Sequence, residues 1–257
     1  MAAERPEQSR AERSSIDRVL VAVEGKDCAR AVSRLNDGLA DKYPGIYLLA
    51  GSMYEEGICL KPNWERAVQM YQRAEQLGHR GGLFKLVAGY AYRERDPALA
   101  LWWAQQSQQL SLPGPCRIAE WVQKDAAALE TTLRAWPPAR LAACNYTAGV
   151  LATVAGDAEY PHAAISHALA GKVEMTFVPA AGTLAWRTLD VEERPLIGLI
   201  NATAAADRTS RDAKASLETY MREVGERALR RFVRPASIDP DWRLTYVFEF
   251  RIELTLR

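Results

Sequence analysis

The stretch LLAGSMYEEGICLKPNWERAVQMYQRAEQLGHRGG, Leu48–Gly82, decides the fold of the first half of this chain. In its second part, small and apolar side chains recur with the i, i+3, i+4, i+7 spacing of a helix that has one buried face. These positions are Trp64, Ala67, Val68, Tyr71, Ala74 and Leu77. Gly57 and Gly78 follow the two apolar runs, and glycine readily takes the positive φ that ends a helix. The stretch therefore predicts a helical hairpin.

The same spacing recurs through the first half of the chain and predicts seven helices. They are Ile16–Glu24, Ala29–Leu39, Ile46–Glu55, Trp64–Leu77, Leu83–Arg93, Pro97–Leu110 and Arg117–Trp136. Gly51-x-x-Tyr54 returns as Gly89-x-x-Tyr92, and each pair lies on the first helix of a predicted hairpin. Short links between helices favour antiparallel neighbours. We therefore predict a helical-hairpin solenoid with two recognisable repeats and an imperfect leading one.

These residues carry a resemblance to a known repeat family. The family pattern is LG-x-x-Y-x-x-G, a loop, and then a helix with A-x-x-x-Y-x-x-A-A-x-x-G. Its places are occupied by Gly51, Tyr54, Gly57, Ala67, Tyr71, Ala74 and Gly78. The stretch thus resembles the Sel-one-like repeat, a relative of the tetratricopeptide repeat, over roughly residues 28–110. The resemblance implies a concave groove that binds protein, and the alternative is an unrelated helical bundle.

The second half of the chain changes to a period of two, which is typical of strands with one buried face. Alternating apolar residues in the last strand are Leu244, Tyr246, Phe248, Phe250, Ile252, Leu254 and Leu256. Val173–Phe177 and Thr183–Leu189 predict two strands around the turn Pro179–Gly182, and Lys214–Phe232 predicts a helix.

Together these patterns predict an α+β protein. We place a helical repeat domain at 14–137, a linker at 138–158 and a β-β-α-β antiparallel sheet domain at 159–257. The linker is assigned because Ala, Gly and Thr dominate where the period changes, between Ala139 and Glu159. The fragment 158–257 is then expected to fold alone.

The sheet half resembles the C-terminal domain of the TonB and TolA periplasmic proteins. The matching positions are Tyr160-Pro161, Ala164, Gly171, Val173, Phe177, Gly182, Phe232 and Pro235. The segment Asp190–Asp212 is longer than that family usually has between its second strand and its helix. The resemblance implies a periplasmic protein whose last strand lies at a sheet edge.

The resemblance also bears on the four cysteines, Cys28, Cys59, Cys116 and Cys144. The periplasm is oxidising and permits disulfides, whereas in the cytosol all four would be buried free thiols. Three pairings are possible, and we favour the nearest-neighbour one, Cys28–Cys59 with Cys116–Cys144. The resemblance implies export, but the N-terminus lacks the apolar core of a signal peptide. We therefore expect an exported protein whose signal peptide is absent from this chain.

Composition and motifs argue against several classes of function. There are 33 Lys and Arg residues against 32 Asp and Glu, which leaves a net charge of +1 and no basic excess for nucleic acid. Apolar runs fall far short of the roughly 18 residues of a membrane span. His79, His162 and His167 lack ligand spacing, and the carboxylate pairs Glu192-Glu193 and Asp239/Asp241 are expected in solvated loops. We predict no cofactor, no metal and no catalysis.

The remaining hypothesis is binding of a protein partner. Adjacent residues on a helix point in different directions, so one of Trp102 and Trp103 can face a partner, whereas Trp64, Trp121 and Trp136 are expected to pack. On the last strand we expect contacts from Tyr246, Val247, Glu249 and Arg251, since an open edge accepts an extended chain.

The predicted function is a non-catalytic adaptor of the bacterial cell envelope. The alternatives are an immunity protein that neutralises a secreted toxin and a cell-wall-active enzyme. Pairing of the last strand with a second copy would instead give a homodimer.

Overall fold

A computed structural model describes residues 6–107, 109–158, 169–193 and 206–250. These residues form ten α-helices and one three-stranded antiparallel sheet, so the predicted α+β class is confirmed. The chain divides into two compact units, Met1–Leu86 and Val87–Arg257, and the division falls inside a helix. Each unit is described by itself below.

The first unit is built from helical hairpins. Its helices are α1 (Pro6–Glu24), α2 (Cys28–Ala40), α3 (Pro44–Glu56), α4 (Trp64–Gln76) and the beginning of α5 (Gly81–Ala91). Helix α2 packs on α1, and α4 on α3. Side chains satisfy the free N–H groups at helix starts: Asp27 caps α2, and Asn63 caps α4. The amide of Gly45 donates to buried Glu12 Oε1 from α1 at 2.5 Å, which ties the start of α3 to α1.

The hairpin α3–α4 closes on one glycine. A Cβ on Gly51 would lie 2.3 Å from Cε1 of Tyr71, so only glycine lets α3 approach the ring this closely. Tyr71 is fully buried, and its hydroxyl donates to Glu55 Oε2 at 2.8 Å. Gly57 and Gly78 have φ values of 74° and 91°, as the sequence predicts. The motif residues are thus explained by packing and helix ends.

In the second unit one predicted helix is interrupted. The helices after α5 are α6 (Pro97–Gln106), α7 (Glu120–Gln123), α8 (Ala126–Arg134), α9 (Pro138–Asp157) and α10 (Ala206–Arg231). The stretch predicted as one helix, 117–136, is therefore α7 and α8. Oδ1 of Asp125 accepts hydrogen bonds from the amides of Ala127 and Ala128, and this N-cap starts a new helix.

The predicted linker, 138–158, is a buried helix. All twelve residues from Ala143 to Val154 are buried, and α9 packs against α6 and α10. A helix that is apolar or small on every face belongs in a core, and its lack of an amphipathic stripe is what made it resemble a linker. A Cβ on Gly149 would lie 2.6 Å from Cε1 of Phe232. The sheet and α10 therefore share their core with α9, and a fragment 158–257 would lack that helix.

The sheet has the order β2-β1-β3, with β1 at Leu169–Val178, β2 at Thr183–Glu193 and β3 at Leu244–Phe250. Both neighbours of β1 are antiparallel to it. The turn between β1 and β2 ends at Gly182, whose φ is 64°. Val173, Met175 and Phe177 are buried, as their alternation predicts. Of the TonB-like positions, Tyr160, Pro161 and Ala164 lie outside the described residues, as do 194–205 of the long segment and 251–257 of the last strand.

Two disulfides join the cysteines in the favoured nearest-neighbour pairing. Cys28 bonds to Cys59, with the Cα atoms 4.9 Å apart, and Cys116 bonds to Cys144, with the Cα atoms 5.4 Å apart. The first bond lies within the first unit and has an exposed end at Cys28, whereas both cysteines of the second are fully buried. Each unit therefore has its own covalent link.

Candidate partner-binding site

The candidate site of the second unit is the edge strand β3. In the described part of the sheet, no strand lies beyond β3. One face of β3 is directed into the unit, with Phe250 buried and Leu244, Tyr246 and Phe248 partly buried. The other face carries Thr245, Val247 and Glu249, which are all exposed. The alternation in the sequence thus separates the two faces correctly.

Tyr246 lies on the inward face and is not placed to meet a partner. Its hydroxyl donates to the carbonyl of Ser111 at 2.5 Å. Burial raises the pKa of Tyr246 well above its usual value, and the hydrogen bond to Ser111 opposes this only in part. The phenol therefore ties β3 to the segment that follows α6, which makes Tyr246 a packing residue.

Val247 is, with Glu249, a predicted contact that the structure leaves accessible, and 52 % of its surface is exposed. It lies opposite Glu174 of β1, and Glu174 forms an ion pair of 2.9 Å with Arg187 of β2. Glu249 lies opposite Lys172 in the register. Near this edge, the outer face of the sheet thus presents the apolar side chain of Val247 among charged side chains of both signs. Arg251 lies outside the described residues.

Trp102 and Trp103 are both partly buried and in contact with each other. Their ring centroids are 4.7 Å apart and their planes lie at 80°. The indole Nε1 of Trp102 donates to the carbonyl of Gln123 at 3.0 Å, which joins α6 to the end of α7. The pair therefore has a clear packing role within the second unit.

The exposed tryptophan is Trp121 on α7. It was expected to pack, yet 70 % of its surface is accessible, whereas Trp136 is buried as expected. Val122, the next residue, is the one that α7 buries. The expectation for Trp121 is wrong, because the short helix α7 buries Val122 and leaves Trp121 exposed. Aromatic side chains often supply the largest contacts in protein interfaces, so Trp121 joins Val247 as a candidate contact residue.

Some of the polar residues that the sequence analysis considered for catalysis or metal binding lie among the described residues, and these make structural hydrogen bonds. The amide of Gly81 donates to Nδ1 of His79 at 3.2 Å in the turn before α5. The amide of Asp241 donates to Oδ1 of Asp239 at 2.9 Å in the loop before β3. Among the described residues, no group of three or more His, Cys, Asp and Glu side chains is placed to hold a metal ion. His162 and His167 lie outside these residues, as do the side chains of Glu192 and Glu193.

Within the described ranges, no helix has both the length and the apolar character needed to cross a bilayer. No family model, curated protein or solved structure shows a significant match to this chain. The likeness to Sel-one-like repeats and to the TonB and TolA domain therefore stays a prediction that rests on the residues quoted above.

Proposed function

We propose that this chain is a bacterial periplasmic adaptor that binds a protein partner by accepting an extended segment of it beside β3. The observation that carries the proposal is the strand order β2-β1-β3, in which β3 is an edge of the sheet that the described residues form and has an exposed outer face. Strand addition gives affinity through main-chain hydrogen bonds, and side chains on alternate positions give selectivity.

The two disulfides support the proposed location in the periplasm. Disulfides persist in secreted and periplasmic proteins and are rare in the cytosol, where thiols are kept reduced. Cys28 is exposed to solvent, so its bond with Cys59 would meet cytosolic reductants directly. A bacterial envelope protein would keep both bonds.

The backbone of β3 supports the mode of binding. In an antiparallel pair, each residue directs its N–H and C=O to the same side, and successive residues alternate between the two sides. Every second residue of β3 therefore directs both groups away from β1. An added strand would pair with these groups, and Val247 would lie on the outer face of the extended sheet beside the partner's own side chains.

The matched positions Thr245 and Ala185 offer a direct test. Both are exposed, and both lie opposite Thr176 of β1, one on each edge of the sheet. A photo-crosslinking amino acid is introduced at either position in the full chain in its host cells. We expect a discrete crosslinked partner from position 245 and none from position 185. Equal crosslinking from both positions, or crosslinking to a second copy of the chain, would count against the adaptor.

A second variant tests the hydrogen bonds themselves. Val247→Pro removes one backbone donor from β3 and is tolerated only where that donor faces away from β1. The variant is measured for its fold by circular dichroism and for its affinity for the crosslinked partner by calorimetry. A folded variant with unchanged affinity would exclude strand addition at this edge. Val247→Thr, which keeps the donor and the β-branched shape, is the control.

A further inference from the structure

The Cys28–Cys59 disulfide joins two helical hairpins of the first unit. Cys28 is the first residue of α2, and Cys59 lies in the loop 57–63 between α3 and α4. Helix α2 packs mainly on α1, and α3 packs mainly on α4, whereas α2 and α3 touch much less. The bond is therefore a covalent link between the hairpins α1–α2 and α3–α4, in addition to the chain that connects them.

The loop 57–63 packs on the apolar core that these two hairpins share. Ile58, Cys59 and Leu60 are partly buried and lie against a cluster of five buried residues. The cluster comes from α1, α2 and α3 and consists of Val19, Leu35, Ile46, Ala50 and Met53. Movement of the loop away from this core cluster would expose apolar surface to water.

Two main-chain hydrogen bonds hold the ends of the loop to α3. The amide of Ile58 donates to the carbonyl of Met53 at 3.0 Å, and the amide of Asn63 donates to the carbonyl of Tyr54 at 2.8 Å. Between them, no carbonyl of the described residues accepts a hydrogen bond from the amides at 59–61. The middle of the loop is thus held by side-chain packing and by the disulfide.

The two ends of the disulfide differ in a way that suits a bond that opens. Cys28 is exposed, so a reductant reaches it without unfolding the unit, whereas both cysteines of the second disulfide are fully buried. Cys59 has a φ of 56°, a left-handed conformation that costs energy in a residue with a side chain. Once the bond is broken, Cys59 is free to leave this conformation.

We propose that Cys28–Cys59 is a redox-sensitive switch that a protein dithiol opens, and that its opening lets the loop 57–63 leave the core cluster. The switch lies in the first unit and does not rest on the sheet edge of the adaptor proposal. In an oxidising compartment the bond stays closed until such a dithiol meets it. The redox state of this bond then decides whether the first unit presents apolar surface.

The reaction is a thiol–disulfide exchange. One thiolate of the dithiol attacks Sγ of Cys28, the disulfide breaks, and Cys59 leaves as a thiolate that takes up a proton from water. The second thiolate of the reductant then attacks the reductant's own sulfur in the mixed disulfide. Cys28 leaves as a thiolate and is protonated in turn, and the reductant closes its internal disulfide. Two electrons pass from the dithiol to the protein.

The first test treats the full, oxidised chain with dithiothreitol as the dithiol. Alkylation followed by mass spectrometry reports which bond is open. We expect Cys28–Cys59 to open at a dithiothreitol concentration at least tenfold lower than Cys116–Cys144 requires, because only the first bond has an exposed end. After this selective reduction the circular dichroism should be unchanged, and the fluorescence of anilinonaphthalene sulfonate should rise at least twofold.

Hydrogen exchange of the ¹⁵N-labelled chain locates the opening. The amides of Ile58 and Asn63 should exchange about tenfold faster after selective reduction, because their bonds hold the loop to α3. The control is the amide of His79, which donates to the carbonyl of Ala74 at 2.9 Å in the turn after α4 and should change less than twofold. Reoxidation with oxidised glutathione should restore slow exchange.

Two double variants test the part that Cys59 has in the opening. Cys28→Ser with Cys59→Ser removes the bond and keeps a side chain at the left-handed position. Cys28→Ser with Cys59→Gly removes the bond as well, but glycine takes this φ without strain. We expect the amides of Ile58 and Asn63 to exchange about fivefold more slowly in the glycine variant than in the serine variant.

Four outcomes would overturn the proposal. They are the opening of both disulfides at the same dithiothreitol concentration, unchanged dye fluorescence after selective reduction, acceleration of His79 equal to that of Ile58, and equal exchange in the two double variants. The third would mean that reduction destabilises the whole unit and opens no particular loop.

Discussion

Each unit of the molecule has a helix glycine against which an aromatic ring packs, and the two contacts differ in how far the chain must travel to make them. Gly51 and Tyr71 are 20 residues apart, on the consecutive helices α3 and α4. Gly149 and Phe232 are separated by 83 residues, with the whole of β1, β2 and α10 between α9 and the ring. The geometry is similar, but only the first contact belongs to a local motif.

The comparison explains which contacts a sequence makes visible. In the first unit, glycine, tyrosine and alanine recur at fixed helical offsets because one hairpin makes the whole contact. In the second unit, Gly149 lies in a segment of small and apolar residues with no polar face. Its contact partner, Phe232, is brought to it by the topology of the second unit, so no regular spacing along the sequence indicates the contact. The predictions below test whether this difference in chain distance matters for stability.

The largest effect is expected from the disulfides, which have nearly equal sequence separations of 31 and 28 residues. Loop closure alone then assigns about 3.5 kcal/mol to each. Replacing Cys116 and Cys144 by alanine should cost more than this, roughly 4–5 kcal/mol, because both are fully buried and their packing is lost as well. Replacing Cys28 and Cys59 should cost about 3 kcal/mol.

Urea unfolding of the two double variants measures these costs, with hydrogen–deuterium exchange to assign each loss to its unit. Under mild reduction of the native protein, the bond with the exposed Cys28 should open first. Faster reduction of Cys116–Cys144 would show that the second unit opens more readily than its burial implies.

The next largest effect on the free energy of unfolding is expected for the variants Gly51→Ala and Gly149→Ala. The new methyl group would lie 2.3 Å from the ring of Tyr71 in the first variant and 2.6 Å from the ring of Phe232 in the second. Tyr71 is fully buried and held by the hydrogen bond of its hydroxyl, whereas the ring of Phe232 is 7 % exposed and, as a phenylalanine, has no such hydrogen bond. We expect a loss of about 2–3 kcal/mol for Gly51→Ala and about 1–2 kcal/mol for Gly149→Ala.

Thermal and urea unfolding give both values, and Tyr71→Leu provides the control for the first. In the double variant Gly51→Ala with Tyr71→Leu, the cost of the added methyl group should fall, because the ring that it meets is gone. A stabilising Gly51→Ala would mean that the hairpin is not closed by this contact.

These two glycines also show how far the sequence could predict the structure. The hairpin, the turn at Gly57 and the sheet strands were predictable, because helix and strand periods and glycine conformations are local properties. The helix α9 was not, because burial on every face removes the periodic signal that separates a helix from a small-residue linker. The break between α7 and α8 depended on the cap at Asp125, which the apolar spacing of the region masked.

The candidate contact residues also divide into those that local sequence patterns predict and those that they do not. The outward position of Val247 could be predicted from alternation in β3 alone. The exposure of Trp121 depended on which face of the short helix α7 is buried, and the apolar spacing over 117–136, which predicted one long helix, did not reveal it.

A smaller effect is expected from tyrosine hydroxyls that bond across short and long chain distances. The hydroxyl of Tyr246 donates to Ser111, 135 residues away, and that of Tyr71 donates to Glu55, 16 residues away. Removal of either hydroxyl by substitution with Phe should cost about 1 kcal/mol at pH 7, or somewhat more for the bond to the carboxylate. Chemical denaturation of the two variants at pH 7 measures both costs.

The effect of Tyr246→Phe should also depend on pH, because burial raises the pKa of Tyr246 in the folded protein above its unfolded value of about 10. The native state then holds this proton more firmly than the unfolded chain does. Its stabilising contribution is full below pH 10 and is lost as the pH rises through the folded value. The stability gap between wild type and Tyr246→Phe should thus narrow above pH 10. A gap that stays constant to pH 11 would mean that the phenol is not buried.

The smallest effect concerns backbone conformation alone, at Lys42 after α2 and at Arg93 after α5. Their φ values are 60° and 52°, in the region that favours glycine. Lys42→Gly should stabilise the protein by about 0.5–1 kcal/mol, since relief of the left-handed strain exceeds the entropy cost of glycine. Arg93→Gly gains the same relief but loses a guanidinium 5.1 Å from the Tyr92 ring, so its net change should be near zero. Thermal unfolding of both variants makes the comparison. Equal stabilisation would show that the guanidinium of Arg93 contributes nothing to the stability of the fold.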